Sequence, residues 1–319
     1  MTRLRQHLIE EVISQLEDAG FSLSSRCDVR PSCFDLVAKR TDKLVLVKIL
    51  SNIDALTKED AIALQLVAQF FDATPLIVGL KNRRGNLEEG VVYKRYGVST
   101  IAPPSLASVI RENELPREFI QRGGRFVAID GAMLKEVRLS RQLTKKELAD
   151  CVQVSARAIL AYEKDEMDVS AEVAGRLEEV LETDLTIPVD VLSKPSVEKP
   201  LTQHRNPDII SSLEFRVNEF FERLGMNVLW TDRAPFQVAA KEEGPPLMSG
   251  VGSLKSWALK KRMEIIKSVS DVSESNAVII VEEGRAEENV SNLAVIRQLE
   301  LDEIEKPNEL RKIISERST

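Results

Sequence analysis

Seven lysines and arginines fall between Gly131 and Lys164 (positions 135, 138, 141, 145, 146, 157 and 164) against four carboxylates, a local balance of +3. Residues 165–184 reverse it, with one arginine and eight acidic side chains, a balance of −7. A confined positive patch suits a phosphate backbone, whereas the net charge of −7 over 319 residues removes the broad potential that non-specific coating needs. Any DNA contact is therefore local. Other chemistries are poorly supplied. Only two histidines, His7 and His204, are available as general bases or metal ligands. Cys27, Cys33 and Cys151 are odd in number and scattered, which fits neither a disulfide framework nor a CxxC zinc site. No metal and no cofactor is expected. No apolar run approaches the roughly 18 residues that span a bilayer, and the amino terminus opens an amphipathic helix without a signal-like core. A cytoplasmic protein with no membrane partner is expected.

The elements that must position the basic patch are helices. Leu134 to Leu143 is amphipathic, and Thr144 followed by Glu147 three residues later is a capping box that opens a second helix through Val152. Gln153 and Val154 make a tight turn, Ser155 caps a third helix from Ala156 to Lys164, and a fourth runs from Ser170 to Leu181. Leu148, Ala149, Val154, Ile159 and Tyr162 supply a shared core, with Val173, Leu177, Val180 and Leu181 beneath.

The register x-L-T-x-x-E-L-A-x-x-x-x-V-S-x-x-x-I-x-x-x-E across residues 142–163 resembles the Cro/repressor-like helix-turn-helix family over about 55 residues. The resemblance implies that Thr144, Lys145 and Lys146 lie at the phosphate-facing start of the second helix. It also implies that Ser155, Ala156, Arg157, Ala158, Ala161 and Lys164 lie on or beside the helix that enters the major groove. Arg157 is the one member able to bond guanine bidentately, and the alanines are limited to thymine methyls. Arg138 and Glu163 fall where family members place a structural salt bridge. Two positions depart from the pattern: Gln153 and Asp165 stand where glycine is usual, so each is expected to adopt positive φ.

On either side the grammar is α/β. An amphipathic helix from Leu4 ends at Gly20, strand-like runs follow at Phe21, Phe34–Ala38 and Leu44–Leu50, Thr57 caps a helix to Phe71, and strands are expected at Pro75–Gly79 and Gly97–Ile101. Beyond residue 208 the order recurs. Phe236–Lys241 parallels Phe34–Lys39 position by position, and Ala277–Val281 parallels Pro75–Gly79. This reads as an internal duplication flanking an inserted helical segment. The first copy resembles the restriction-endonuclease-like fold, especially its archaeal Holliday-junction resolvase and Mrr-like members. That resemblance puts Asp35 and Lys48 at the first and last positions of a Mg²⁺ site. The middle carboxylate position is Leu46, which no hard cation accepts, although Glu10 or Glu11 lies on the first helix. The second copy has Gln237 for the aspartate. Asp35 and Lys48 are then left to form an ion pair. The stretch Gly244–Gly252 is read as a flexible connection.

The fold class expected is α/β plus all-α: a central Cro/repressor-like helix-turn-helix bundle between two restriction-endonuclease-like α/β domains. The boundaries are 1–122 and 123–190, a proline-rich linker at 191–207, and 208–319. The whole arrangement resembles an archaeal family of helix-turn-helix transcriptional regulators. That resemblance implies a DNA-binding regulator rather than an enzyme, acting on double-stranded DNA as a homodimer. The alternatives are a Mg²⁺-dependent structure-specific nuclease and a protein-interaction or assembly module.

Overall fold

A computed structural model describes residues 3–194, 211–282 and 284–318. Most of the expected linker, including His204, lies outside these residues. The chain divides into two compact units, one of Met1–Ile49, Leu56–Leu76 and Leu192–Thr319, the other of Leu50–Ala55 and Ile77–Val191.

In the first unit, helix Arg3–Asp18 buries Leu8, Ile9, Val12 and Leu16, one stripe at helical spacing. Gly20, at φ 79°, turns the chain out of it. Strands Ser22–Leu23, Leu36–Arg40 and Lys43–Asn52 form an antiparallel meander in the register Leu23 to Ala38 and Leu36 to Val47. Thr57 caps helix Lys58–Phe70 as its sequence predicts, accepting from the Asp60 amide.

The carboxyl-terminal part of this unit is a six-stranded sheet with helices Ser212–Arg223, Trp257–Ser273 and Pro307–Arg317. One expectation fails here. Residues 247–252 are not a loop: Leu247–Gly252 is a buried strand, antiparallel to Val238–Lys241 and parallel to Asn276–Val281. Its two glycines hide the strand signal, and packing explains one of them. A Cβ on Gly250 would stand 3.0 Å from Ile279 and 3.2 Å from both Ile266 and Leu259.

The duplicated grammar extends to individual hydrogen bonds. The Asp35 amide donates to Val47 O and the Ile49 amide to Asp35 Oδ2, while the Gln237 amide donates to Ser249 O and the Val251 amide to Gln237 Oε1. The two copies also meet within this unit. Lys39 pairs with Glu274 at the end of one long helix, and its counterpart Lys241 donates to Phe70 O at the end of the other. Arg233 pairs with Asp60 and Lys261 with Asp28, and Phe71 stacks on Phe236 at 5.5 Å.

The second unit is built on a sheet running Thr74–Asn82, Val98–Ile101, Val91–Arg95, Glu118–Gln121, Gly124–Ile129, Val169–Ser170. The strands at Val91, Glu118 and Val169 have no counterpart in the sequence reading. Strand Gly124–Ile129 leads directly into the helical bundle. It pairs with Val169–Ser170 and Thr186–Ile187, both contributed by the bundle itself. Val127 and Ile129 accordingly belong to the same core as Leu134, Leu148, Ile159 and Leu177. The bundle is thus hydrogen-bonded to the sheet rather than hung from it. Among the described residues no helix is long and apolar enough to cross a membrane.

Candidate nucleic-acid interface

Four helices make the bundle: Gly131–Ser140, Lys145–Val152, Ala156–Tyr162 and Ala171–Leu181. Each opens on a side-chain cap, from Asp130, Thr144, Ser155 and Ser170 respectively. The capping box closes in both directions. Thr144 Oγ1 accepts from the Glu147 amide at 3.2 Å, and Glu147 Oε2 accepts from the Thr144 amide at 2.8 Å and from its hydroxyl at 2.7 Å. These bonds, from the Thr144 amide first and its hydroxyl second, hold the Glu147 carboxyl below its ordinary pKa. The turn is left-handed at Gln153, φ 58°, and the residue after the third helix, Asp165, has φ 56°. Both non-glycine residues therefore take the conformation their positions demand. Asp165 gains a further role, because its Oδ1 accepts from the Gly131 amide at 3.1 Å and ties the third helix to the start of the first.

Arg138 and Glu163 form the expected pair. Their side chains are 5% and 2% exposed, and Arg138 Nε donates to Glu163 Oε1 at 2.5 Å. Arg138 Nη1 also donates to Leu143 O at 2.8 Å, so one guanidinium joins the first helix, the loop before the second, and the end of the third. Lys145 Nζ lies 3.8 Å from the other oxygen of Glu163. This links an expected phosphate contact to the buried pair, a connection that spacing along the chain does not reveal.

The other expected contact residues fall into two groups. Lys146, Ala156, Arg157 and Lys164 are exposed, and Ala158, Ala161 and Lys145 are half-buried, with Leu160 an additional exposed apolar residue at 38%. Arg157 and Lys146 enter no ion pair among the described residues, whereas Lys164 Nζ lies 3.7 Å from Glu166. An arginine fork open to solvent is chemically equipped to take a guanine edge or a phosphate. Thr144 and Ser155 are exposed, but their hydroxyls are already committed to capping, Ser155 Oγ accepting from the Ala158 amide at 3.1 Å.

The Asp35 position does not fit a divalent cation. Asp35 is fully buried, and its Oδ1 accepts from Arg5 Nη2 at 2.8 Å, with Arg30 Nη2 at 3.5 Å. Oδ2 accepts from the Ile49 amide at 2.8 Å and faces Lys48 Nζ at 3.8 Å. Arginine and lysine thus supply the positive charge a metal would bring, and both oxygens are engaged. Lys48 Nζ donates to Ser32 O at 2.5 Å. Leu46, at the middle position, lies in an apolar wall with Phe34, Val67, Phe71 and Phe236. Neither Glu10 nor Glu11 is bonded to this knot; they pair instead with Gln6 and Gln15. Among the described residues, no three His, Cys, Asp or Glu side chains stand together as a metal site. In the second copy Gln237 satisfies itself against Val251, Nε2 donating to its carbonyl and Oε1 accepting from its amide.

Residues 5–116 match the PD-(D/E)XK superfamily domain and residues 134–187 the helix-turn-helix family. Over nearly its full length the chain is similar to proteins named as HTH-type transcriptional regulatory proteins. One from Thermococcus kodakarensis is 38% identical over 97% of this chain and 95% of its own. One from Pyrococcus horikoshii is 38% identical over 97% of both. One from Haloarcula marismortui is 36% identical over 98% of this chain and 97% of its own. No solved structure matches the chain.

Proposed function

The chain belongs to the archaeal family of HTH-type transcriptional regulatory proteins, and from that premise we propose that it binds double-stranded DNA through the helix Ala156–Tyr162. The observation that carries this reading is Arg157, exposed and in no ion pair among the described residues, on a helix whose cap, left-handed turn and buried Arg138–Glu163 brace are all formed. In this reading Lys145, Lys146 and Lys164 take phosphates, Arg157 takes a guanine, and Ala156 and Ala161 accept thymine methyls. With a single base-reading fork per chain, discrimination is modest. Two chains reading two half-sites as a homodimer supply the rest. The protein is read as a regulator and not an enzyme. Support comes from the Asp35 knot, in which Arg5 and Lys48 hold the carboxylate that a nuclease would give to Mg²⁺.

Selection on random duplex DNA followed by gel shift tests the reading. It predicts enrichment of a two-fold repeated site, bound in a salt-sensitive manner and weakened in Arg157→Ala. Absence of enrichment, or Mg²⁺-dependent cutting lost in Asp35→Ala, would contradict it.

A further inference from the structure

A second positive surface lies in the other unit, at the start of the helix Trp257–Ser273. Residues 251–263 contain Lys255, Lys260, Lys261 and Arg262 and not one carboxylate, in a chain whose overall charge is −7. Trp257, the first residue of that helix, is 75% exposed, more than any other large apolar side chain among the described residues. Lys261 Nζ stands 5.6 Å from the centre of its ring and also pairs with Asp28 at 2.8 Å. Lys255 and Lys260 are exposed and form no ion pair among the described residues; Glu264, one turn beyond Lys260, is the nearest exposed acid along the helix. The other tryptophan, Trp230, is half-buried and donates from Nε1 to Asn218 Oδ1 at 2.8 Å. The exposure of Trp257 is therefore specific to this place.

The start of this helix is anchored in the fold. Ser256 caps the helix, accepting from the Leu259 amide at 3.4 Å, and Leu259 is buried beside Gly250 and Gly252, at the end of the strand that precedes it. An indole that is 75% exposed, with Lys255 two residues before it and Lys260 three residues after it, is equipped to stack an unpaired base while the lysines take the adjoining phosphates. A closed duplex offers phosphates but no free base face. We propose that Trp257, Lys255 and Lys260 form a contact for single-stranded DNA, separate from the helix-turn-helix. The idea extends the DNA-binding reading, because strand contacts of this kind belong to a protein working on opened DNA, but its test does not depend on an operator.

The full-length protein is titrated with a twenty-nucleotide oligo-dT while tryptophan emission and the anisotropy of a labelled oligonucleotide are followed. Quenching is expected in the wild type and in Arg157→Ala, and lost in Trp257→Leu. Trp257→Leu should weaken binding about fivefold or more, in line with the loss of one stacked base. Lys255→Gln with Lys260→Gln should lower the salt slope by about 1.4, as expected when two single-strand phosphate contacts are removed. The proposal is overturned if oligo-dT binding is unaffected by these variants, or if it is absent while duplex binding persists. It is equally overturned if vesicles of phosphatidylserine and phosphatidylcholine, rather than the oligonucleotide, quench Trp257.

Discussion

Replacing one member of the Arg138–Glu163 pair should cost far more than replacing both. With side chains 5% and 2% exposed, the two charges have lost nearly all their water, and each depends on the other for compensation. Truncation of one partner in such a pair typically costs about 3–5 kcal/mol, whereas exchanging both for apolar residues of similar size is often neutral. Glu163→Leu leaves the Arg138 guanidinium with the Leu143 carbonyl alone and withdraws the acceptor facing Lys145. Arg138→Met leaves Glu163 with a lysine 3.8 Å away that is itself half-buried. Each single change is predicted to destabilise the bundle by about 3–5 kcal/mol, and the double variant Arg138→Met/Glu163→Leu to lie within about 1–2 kcal/mol of wild type. Because a chain with two compact units need not unfold in one step, the assay is native-state amide exchange at the buried helical positions Leu134, Leu148 and Ile159, rather than a global melt. Single-variant losses below about 1 kcal/mol, or a double-variant loss equal to the sum of the singles, would refute the claim that this pair braces the bundle.

Four further outcomes rest on the same structure. Thr144→Ala removes the cap of the second helix and should cost about 1 kcal/mol in exchange protection there. The Glu147 carboxyl is held below its ordinary pKa by the same bonds, so its stabilisation is present above the unfolded value and disappears as the pH falls through the folded one; acid should therefore open this helix in the wild type and less so in Glu147→Gln. In the other unit, burial pushes the Glu300 carboxyl up, but hydrogen bonds from Arg297 and Arg317 outweigh it and bring the pKa down to about 2. The associated stability should fade as the pH drops from the ordinary 4.5 toward 2, and circular-dichroism titration of Glu300→Gln should show that part of the acid response missing. Gly131→Ala should disrupt the bundle outright, because the added Cβ would land on the Tyr162 carbonyl oxygen and against Asp165; wild-type exchange protection in this variant would disprove that close approach.

What could be read from the chain alone depended on how local the responsible interaction was. The capping box, the Ser155 cap and the left-handed turn at Gln153 span a few residues, and all form where their spacing indicates. The Arg138–Glu163 pair is 25 residues apart, but the helix-turn-helix register fixes both ends of it. Non-local pairings left weaker traces. Strands Val169–Ser170 and Thr186–Ile187 are two residues each, too short for any alternation, and exist because Gly124–Ile129 offers them partners. Leu247–Gly252 was concealed by its two glycines, of which Gly250 is needed for close packing against Leu259, Ile266 and Ile279. For the Asp35 site, Leu46 signalled the missing carboxylate, but nothing in the spacing indicated that Arg5, 30 residues earlier, takes up the negative charge.

The central claim is that Arg157 reads a base in duplex DNA, and one comparison tests it most directly: wild type and Arg157→Ala titrated against the selected site and against an unrelated duplex at the same salt. The structure predicts a loss of about 1–3 kcal/mol at the selected site, relaxed discrimination at one base pair, and a much smaller change on the unrelated duplex. Equal losses on both would reduce Arg157 to a phosphate contact, and no loss on either would contradict the docking of this helix on DNA.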